Sequence, residues 1–193
     1  VYKRQHYPNG DDVQQWSVAV VARPVGGKLR ADGDETLSVE WMDVDEALLQ
    51  FPPAYQAMVR AAIDSPDDAV LEPVYAEDTL TEHWTLLRQH VGHEPVILCG
   101  AMAVVPDGRG NILAVHRTDN GLWTLPGGYA DLGETTTNTA VREVWEETGL
   151  DVEPVRVIGV YSETPRMMAL MSNGDIAHNV GIAFECRITG GDL

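Results

Sequence analysis

The sequence GYADLGETTTNTAVREVWEETGL, residues 128–150, decides the fold of this chain. It places a glycine turn ahead of a predicted helix whose last turns carry three glutamates. Glu143, Glu146 and Glu147 stand at positions i, i+3 and i+4, so their side chains are expected to converge on one helix face. Such clusters of carboxylate oxygens suit Mg²⁺ or Mn²⁺ rather than zinc. An ordinary solvated acidic face is the alternative interpretation of this charge run.

Residues 128–150 resemble the Nudix box, G-x5-E-x7-R-E-U-x-E-E-x-G-U, in which U is aliphatic. The match holds at all nine fixed positions: Gly128, Glu134, Arg142, Glu143, Val144, Glu146, Glu147, Gly149 and Leu150. With average residue usage, such a match arises by chance at a given start roughly once in 10⁹ trials. The resemblance implies an α/β (α+β) fold, a mixed sheet sandwiched between helices, with the box as a loop-helix-loop segment.

The resemblance also implies a function. It is that of a Mg-dependent pyrophosphohydrolase, which cleaves a nucleoside diphosphate linked to another moiety by water attack at phosphorus. The nucleotide, nucleotide-sugar and ADP-ribose classes of substrate stay open, because selectivity lies outside the box. By the family pattern, the ligands of Mg²⁺ or Mn²⁺ are Glu143, Glu146, Glu147 and the carbonyl of Gly127. Glu134 has a supporting role near the metal, and Arg142 orients a box carboxylate.

Weaker candidates for substrate contact flank the box. Arg117 and its neighbour His116 end a strand near the box entry, where an ordinary exposed pair is the alternative. Trp123 is expected either to stack on a base or to anchor the core. Gly128 and Tyr129 follow the glycine turn and are expected to line the pocket. Further residues for which packing is the default role are Met167, Met168, Met171 and His178.

Composition limits the classes of protein. The chain has 193 residues, 44% of them hydrophobic, enough for one domain or for parts of two. The net charge of −17 argues against a nucleic-acid partner, because duplex binding depends on Lys and Arg, but it leaves room for a nucleotide-type small molecule. Cys99 and Cys186 are expected to be buried free thiols in a reducing, cytoplasmic compartment. With no 18-residue apolar run in the sequence, no membrane span is expected.

An internal repeat relates the two ends of the chain. Residues 9–29 align without gaps on residues 173–193, and both copies are predicted to form a turn, a strand and a Gly-Gly turn. We therefore interpret the chain as parts of two Nudix-like domains. Residues 1–5 are predicted to be a non-native leader, since they resemble a translated transposon adapter. Residues 6–64 are predicted to be the C-terminal part of a first domain, and 65–79 a linker. Residues 80–193 are predicted to be an N-terminal helix followed by a Nudix domain that is truncated at its C-terminus.

The repeat leaves two questions open. The general base is expected to be Glu146 or Glu147 in the box, or else a residue of a later loop, whose place in the first copy is taken by Glu35 beside Asp34. Halves 30–64 and 96–193 are expected to complement each other within a chain or between chains, since the box domain otherwise leaves an apolar face and a sheet edge open.

A non-catalytic Nudix-fold nucleotide sensor and an inactive fragment of a tandem protein are the alternatives to the hydrolase.

Local patterns predict the regular elements. In the first half, strands are expected at 14–22 and 37–42 and a helix at 53–64. A capping box at 79–82 predicts a helix that ends near Val91. In the second half, strands are expected at 96–105, 111–116, 123–125, 152–162, 166–171 and 178–188, and the box helix at 135–148 with Gly149 as its left-handed C-terminal residue.

Overall fold

The computed structural model describes residues 4–6, 10, 12–31, 36–65, 67–71, 83–171 and 173–192. Its regular elements are, in chain order, β1 (Arg4–His6), β2 (Asp12–Gln14), α1 (Val44–Gln50), α2 (Pro53–Asp64), α3 (His83–Val91), β3 (Val96–Val104), β4 (Val115–His116), β5 (Trp123–Thr124), β6 (Gly127–Tyr129), α4 (Thr136–Thr148), β7 (Leu150–Tyr161), β8 (Met168–Leu170) and β9 (Ile176–Gly191). The chain divides into two compact units, one formed by Gln15–Val70 and the other by the remaining described residues, including those before Gln15. Where the structure describes the chain, no helix is long and apolar enough to cross a membrane.

The first unit is built on two helices. Helix α1 begins after Asp43, whose carboxylate accepts the backbone N–H of Asp45 at 2.9 Å. Helix α2 has the predicted bounds and begins at Pro53, where the missing N–H of proline costs no helical hydrogen bond. The strands predicted at 14–22 and 37–42 are wrong, since only Gln14 of these residues lies in a strand.

These two predictions failed because a strand requires a hydrogen-bonded neighbour, which alternation of side chains does not supply. In the first copy of the repeat, the side chains of Val18, Val20 and Val21 are 49%, 80% and 75% exposed. In the second copy, the corresponding residues lie in β9 and pair with β3 and β7. The prediction that a Gly-Gly turn ends the second copy is also wrong, because Gly190 and Gly191 continue β9 and pair with β7.

The second unit contains a mixed sheet in the order β6-β3-β9-β7, with β8 also paired to β9. Strand β9 runs parallel to β3 and antiparallel to β7 and β8, while β3 is antiparallel to β6. Most strands predicted in this half are confirmed with shifted ends. The exception is 111–116, where Ile112 forms only an isolated bridge with Pro106 and the strand begins at Val115.

Helix α4 packs on one face of this sheet. Thr135 caps its first turn by accepting the N–H of Asn138 at 3.1 Å, and Gly149 ends it in the left-handed conformation, as predicted. The fully buried Ala140 and Val144 of α4 join a core cluster whose other members come largely from β3, β7 and β9: Ala101, Ala103, Val105, Leu150, Val152, Ile182, Phe184 and Cys186. The architecture is therefore the predicted α/β arrangement of a mixed sheet with helices.

A buried carboxylate ties α3 and the residues that follow it to the turn before β9. Asp175, whose side chain is 1% exposed, contacts the Arg88 guanidinium at 3.1 Å and the His93 ring at 2.7 Å. It also accepts the side-chain N–H of Asn173 at 2.9 Å. The hydrogen bond with His93 makes the largest contribution to lowering the pKa of Asp175. Helix α3 ends at Val91 as predicted, whereas its expected capping box at 79–82 lies outside the described residues.

Candidate active site

The three box glutamates lie on α4 beside strand β6. Glu143 is the most enclosed, with 14% of its side chain exposed, whereas Glu146 is 47% exposed. The Glu143 carboxylate rests directly against Gly128, where any side chain would overlap it. Glu147 lies nearer the start of the strand and accepts the backbone N–H of Gly127 at 3.0 Å. Helix α4 and the two glycines of β6 therefore enclose the acidic face that the sequence predicted.

Arg142 lies at the centre of this acidic face. Its Nη1 donates to Glu143 at 2.8 Å and to Glu146 at 3.1 Å. Its Nε and Nη2 donate to the two carboxylate oxygens of Glu134 at 2.7 and 3.0 Å, and Nη2 also donates to the Tyr129 carbonyl at 2.9 Å. Burial alone would lower the pKa of Arg142, but the bond to Glu134 and the attraction of Glu143 raise it above its ordinary value. The guanidinium therefore stays charged and holds the loop to the helix.

Glu134 connects the box loop to α4 from a buried position, with 4% exposed. Besides Arg142, it accepts the backbone N–H of Asp131 at 2.9 Å and the hydroxyl of Thr139 at 3.0 Å. These contacts agree with a supporting role. Sequence reasoning missed Thr139, although its position on the buried side of the predicted helix was a signal for it.

The donor chemistry of this cluster suits a hard divalent cation. Burial raises the pKa of Glu143; Arg142 opposes this shift, while repulsion from Glu146 and Glu147 adds to it. Three carboxylates that repel one another are stabilised by a shared cation. Among the described residues, however, no group of three or more acidic, His or Cys side chains converges as a metal cage.

The expected convergence on one point is therefore not seen, and there is a physical reason for the difference. Arg142 draws Glu143 and Glu146 towards its guanidinium, while the Gly127 N–H holds Glu147. The assignment of these carboxylates and of the Gly127 carbonyl as metal ligands stays a prediction.

The β4–β5 hairpin lies upstream of β6 and carries two of the predicted substrate contacts. Arg117 is fixed by Asp119 through two hydrogen bonds of 2.8 and 2.7 Å. The bond to Asp119 raises the pKa of Arg117 against desolvation, and the charges of Asp119 and Glu147 add to the rise. Trp123 stacks on His116 with ring centroids 4.7 Å apart and is 70% exposed, so it is not a core anchor. Asp119 was missed, although an acid two residues after an arginine in a turn is a recognisable partner.

Other predicted residues lie on β6 and along β8 and β9. The Tyr129 hydroxyl donates to the side chain of Asn179 at 3.1 Å. His178 contacts the Ser162 carbonyl at 2.8 Å, and the methyl of Met167 lies close to Gly181. Met168 and Met171 lie at or just beyond the ends of β8, and Glu35 lies outside the described residues. Asn179 was missed because its neighbour is fifty residues away in the chain.

Cys99 and Cys186 are both free, as predicted, and Cys186 is buried while Cys99 is partly buried. Burial raises the pKa of Cys99 and, with a smaller effect of Glu185, raises the pKa of Cys186 to about 11. Neither thiol contributes a nucleophile to the acidic face. The cytoplasmic compartment stays a prediction.

The second unit is an α/β domain with a loop-helix-loop acidic site on its mixed sheet. Its carboxylates gather around Arg142, beside the glycines of the edge strand β6. Residues 99–191 match the family model of the NUDIX domain, and this part of the chain is a domain of that family.

Several known proteins are similar to the chain. A MutT-like protein of Streptomyces ambofaciens is 38% identical over 103 residues, which cover 53% of this chain and 60% of that protein. An ADP-ribose pyrophosphatase of Methanocaldococcus jannaschii is 36% identical over 85 residues, which cover 42% of this chain and 46% of that protein. A crystal structure of an ADP-ribose pyrophosphatase from Streptococcus suis is 30% identical, covers 50% of this chain and 63% of its own, and has a TM-score of 0.41. The chain thus spans about half the length of the curated relatives it matches.

Proposed function

We propose that the NUDIX domain hydrolyses the diphosphate bond of a nucleoside diphosphate linked to another moiety. The oxygen of a water molecule forms a new bond to phosphorus, and the bond from that phosphorus to the bridging oxygen breaks. The bridging oxygen leaves with the second phosphate, and the proton lost by water passes to a carboxylate. The name of the M. jannaschii relative, an ADP-ribose pyrophosphatase, is consistent with this class of substrate.

The observation that carries the proposal is the arginine-centred set of box carboxylates against the glycines of β6. Glu143, Glu146 and Glu147 present only oxygen ligands, and Glu143 and Glu147 lie next to Gly128 and Gly127, which have no side chains. A purely structural acidic face gains nothing from placing Glu146 and Glu147 where their charges add to the rise in the pKa of the buried Glu143 carboxylate. The arrangement therefore supports a site for a cation and for phosphate oxygens.

Mg²⁺ or Mn²⁺ would be held by Glu143, Glu146, Glu147 and the Gly127 carbonyl, and would supply positive charge to the pyrophosphate oxygens and to the attacking water. Arg142 positions the ligands. Its bonds to Glu134 and to the Tyr129 carbonyl involve none of the three proposed carboxylate ligands, so the guanidinium keeps its place when Glu143 and Glu146 change partner.

Glu146 and Glu147 are the proposed general bases within the box, since both are exposed enough to meet a water molecule. Arg117 is proposed to contact a phosphate oxygen, because two hydrogen bonds to Asp119 fix its guanidinium and the charge of Glu147 contributes to the rise in its pKa. The exposed face of Trp123 is proposed as a stacking surface for a ring of the substrate. Glu35 remains a proposed base of a later loop.

The test is the release of nucleoside monophosphate or phosphate from ADP-ribose, sugar nucleotides, dinucleoside polyphosphates and oxidised nucleotides at fixed Mg²⁺. We expect Glu147→Gln to lower kcat about 10²-fold or more, because it removes a ligand or base while keeping the shape of the side chain. The matched control is Glu163→Gln, since Glu163 is 70% exposed and pairs only with Arg166 among described residues.

Two outcomes would contradict the proposal. Unchanged turnover in Glu147→Gln, with melting temperature also unchanged, would remove the box helix from the reaction. A wild-type protein that binds these nucleotides and releases nothing at any Mg²⁺ concentration would instead be the sensor named above as an alternative.

A further inference from the structure

Thr139 is a fully buried polar side chain near the start of α4. Its exposed fraction is 0%, and the core residue Ala140 follows it in the chain. Threonine forms helices less readily than alanine, and a buried hydroxyl without a hydrogen bond costs free energy. An apolar side chain at this position would avoid the cost of burying a hydroxyl. The partners of the Thr139 hydroxyl therefore indicate what this side chain does.

The hydroxyl of Thr139 has one proton and lies close to two acceptors. The Oε2 of Glu134 is 3.0 Å away and the carbonyl of Thr135 is 3.1 Å away. The Thr135 carbonyl already accepts the backbone N–H of Thr139 at 3.1 Å. A carboxylate is the stronger acceptor, because hydrogen bonds to ionised groups are shorter and stronger than those between neutral groups. The proton therefore goes to Glu134 rather than to the helix backbone.

The hydrogen bond from Thr139 bears on the position of Arg142. The Oε2 of Glu134 also accepts the backbone N–H of Asp131 at 2.9 Å and the Nη2 of Arg142 at 3.0 Å, while its Oε1 accepts the Nε of Arg142 at 2.7 Å. Asp131 and Thr139 approach Oε2 from the loop and from the helix, and together they restrict rotation of the carboxylate. A guanidinium makes two parallel hydrogen bonds to a carboxylate whose plane is aligned with its own. Thr139 therefore helps to fix the plane that Arg142 requires.

Arg142 has carboxylate partners on two sides, and Thr139 supports one of these sides. Besides Glu134, Arg142 contacts Glu143 at 2.8 Å and Glu146 at 3.1 Å through its Nη1. In the proposed function, Glu143 and Glu146 turn from Arg142 to a cation. If Glu134 were held less firmly, Arg142 would follow these two carboxylates and compete with the cation for their charge. A firmly held Glu134 therefore favours cation binding.

We propose that Thr139 is a positioning residue for the proposed cation site. Its hydroxyl anchors Glu134, and Glu134 retains Arg142 when the box carboxylates turn to the cation. This inference rests on the proposed function, and it adds a residue that lies inside the box but outside its nine fixed positions. The property that Thr139 controls is the affinity for the cation, and the chemical step is left unchanged once the site is full.

The first test is a Mn²⁺ titration of the full chain, in which free Mn²⁺ is followed by electron paramagnetic resonance. Thr139→Val keeps the volume of the side chain and removes the donor. It should raise the Kd for Mn²⁺ about tenfold, which is the scale expected when a side chain that supports metal ligands is lost. Thr139→Ser restores the hydroxyl and should return the Kd close to that of the wild type.

Thr148→Val is the matched control. Thr148 also lies on α4, but its hydroxyl donates to the Val144 carbonyl at 2.6 Å and not to a carboxylate. This variant is expected to lower the melting temperature in a chelator while keeping the wild-type Kd for Mn²⁺. The two valine variants therefore separate a hydroxyl that supports the helix from one that positions the site.

A double-mutant cycle tests the route through Glu134. Glu134→Gln should itself weaken Mn²⁺ binding, because a neutral amide with one oxygen cannot accept both arms of the Arg142 guanidinium. In that background, Thr139→Val should add less than about a twofold further change. Wild-type affinity in either single variant would overturn the inference, as would an equal effect of Thr139→Val in both backgrounds. The Glu134→Gln variant gives this decision even if Thr139→Val does not fold.

Mn²⁺ binding is measured without turnover, so it separates failure of the inference from failure of the proposed function. If the wild type binds Mn²⁺ but hydrolyses none of the nucleotides, the proposed function fails and the titrations still decide the role of Thr139. If it hydrolyses them, Thr139→Val should raise the Mg²⁺ concentration for half-maximal rate about tenfold, with kcat at saturating Mg²⁺ nearly unchanged. A loss of kcat with no change in the Mg²⁺ requirement would overturn the inference. So would a wild-type protein that binds no Mn²⁺, because it has no cation site to position.

Discussion

Removal of Arg142 gives the most direct measure of what holds the box together. Arg142 is 22% exposed and neutralises Glu134, whose side chain is 3% exposed. Removing one partner of a buried ion pair costs about 3–5 kcal/mol, because the other charge stays buried without compensation. Glu134 keeps the Asp131 N–H and the Thr139 hydroxyl as donors, so the lower end of that range applies. We expect Arg142→Ala to lower the free energy of unfolding by about 3 kcal/mol.

The assay is urea denaturation followed by far-UV circular dichroism in a chelator, so that metal binding does not contribute. Arg187→Ala is the matched control, because Arg187 and its partner Glu153 are 67% and 53% exposed, and an exposed pair contributes about 0–1 kcal/mol. In a double-mutant cycle, Glu134→Gln should cost much less in the Arg142→Ala background than in the wild type. A loss below about 1 kcal/mol for Arg142→Ala, or additive effects in the cycle, would refute the reasoning.

Two further predictions concern buried titratable groups. The pKa of Asp175 is lowered in the folded state, so its stabilising effect is present above the ordinary value of 3.8 and is lost as pH falls through the lower folded value. As pH falls below 3.8, we therefore expect the melting temperature of Asp175→Asn to fall less steeply than that of the wild type. Parallel plots of melting temperature against pH for the two proteins would contradict this. Burial raises the pKa of Cys99 and Cys186. We therefore expect both thiols to react slowly with an aromatic disulfide reagent at pH 8 in the native protein and rapidly after denaturation. Fast labelling of the native protein would contradict this.

Local signals predicted helices well and strands less well. The caps of α4 were evident from Thr135 and Gly149, and Pro53 marked the start of α2, because these effects act within a few residues. The duplicated strand pattern could not be resolved locally. Residues 178–186 became part of β9 because β3 and β7 flank them, whereas in the described part of the first copy only Asp12–Gln14 has a strand neighbour, which is β1. Pairing between distant segments decided this difference.

The candidate site shows the same division. The spacing of Glu143, Glu146 and Glu147 predicted their common helix face, and the match to the box predicted Arg142 as an orienting residue. The side-chain partners could not be predicted: Arg142 holds Glu143 and Glu146 together, whereas the Gly127 N–H holds Glu147 apart from them. Contacts across the fold, such as the bond from Tyr129 to Asn179, depend on the sheet register and leave no local pattern.

The close approach of Glu143 to Gly128 has a consequence for how this domain can change during evolution. The carboxylate fills the volume that a side chain at position 128 would need, so the two positions share one space although they are fifteen residues apart. A library randomised at both positions should return glycine at 128 wherever an acid is retained at 143, and larger residues at 128 only beside small ones at 143. We therefore expect new substrates to be accommodated more easily by substitutions outside this pair, for example on the β4–β5 hairpin, while the centre of the box stays fixed.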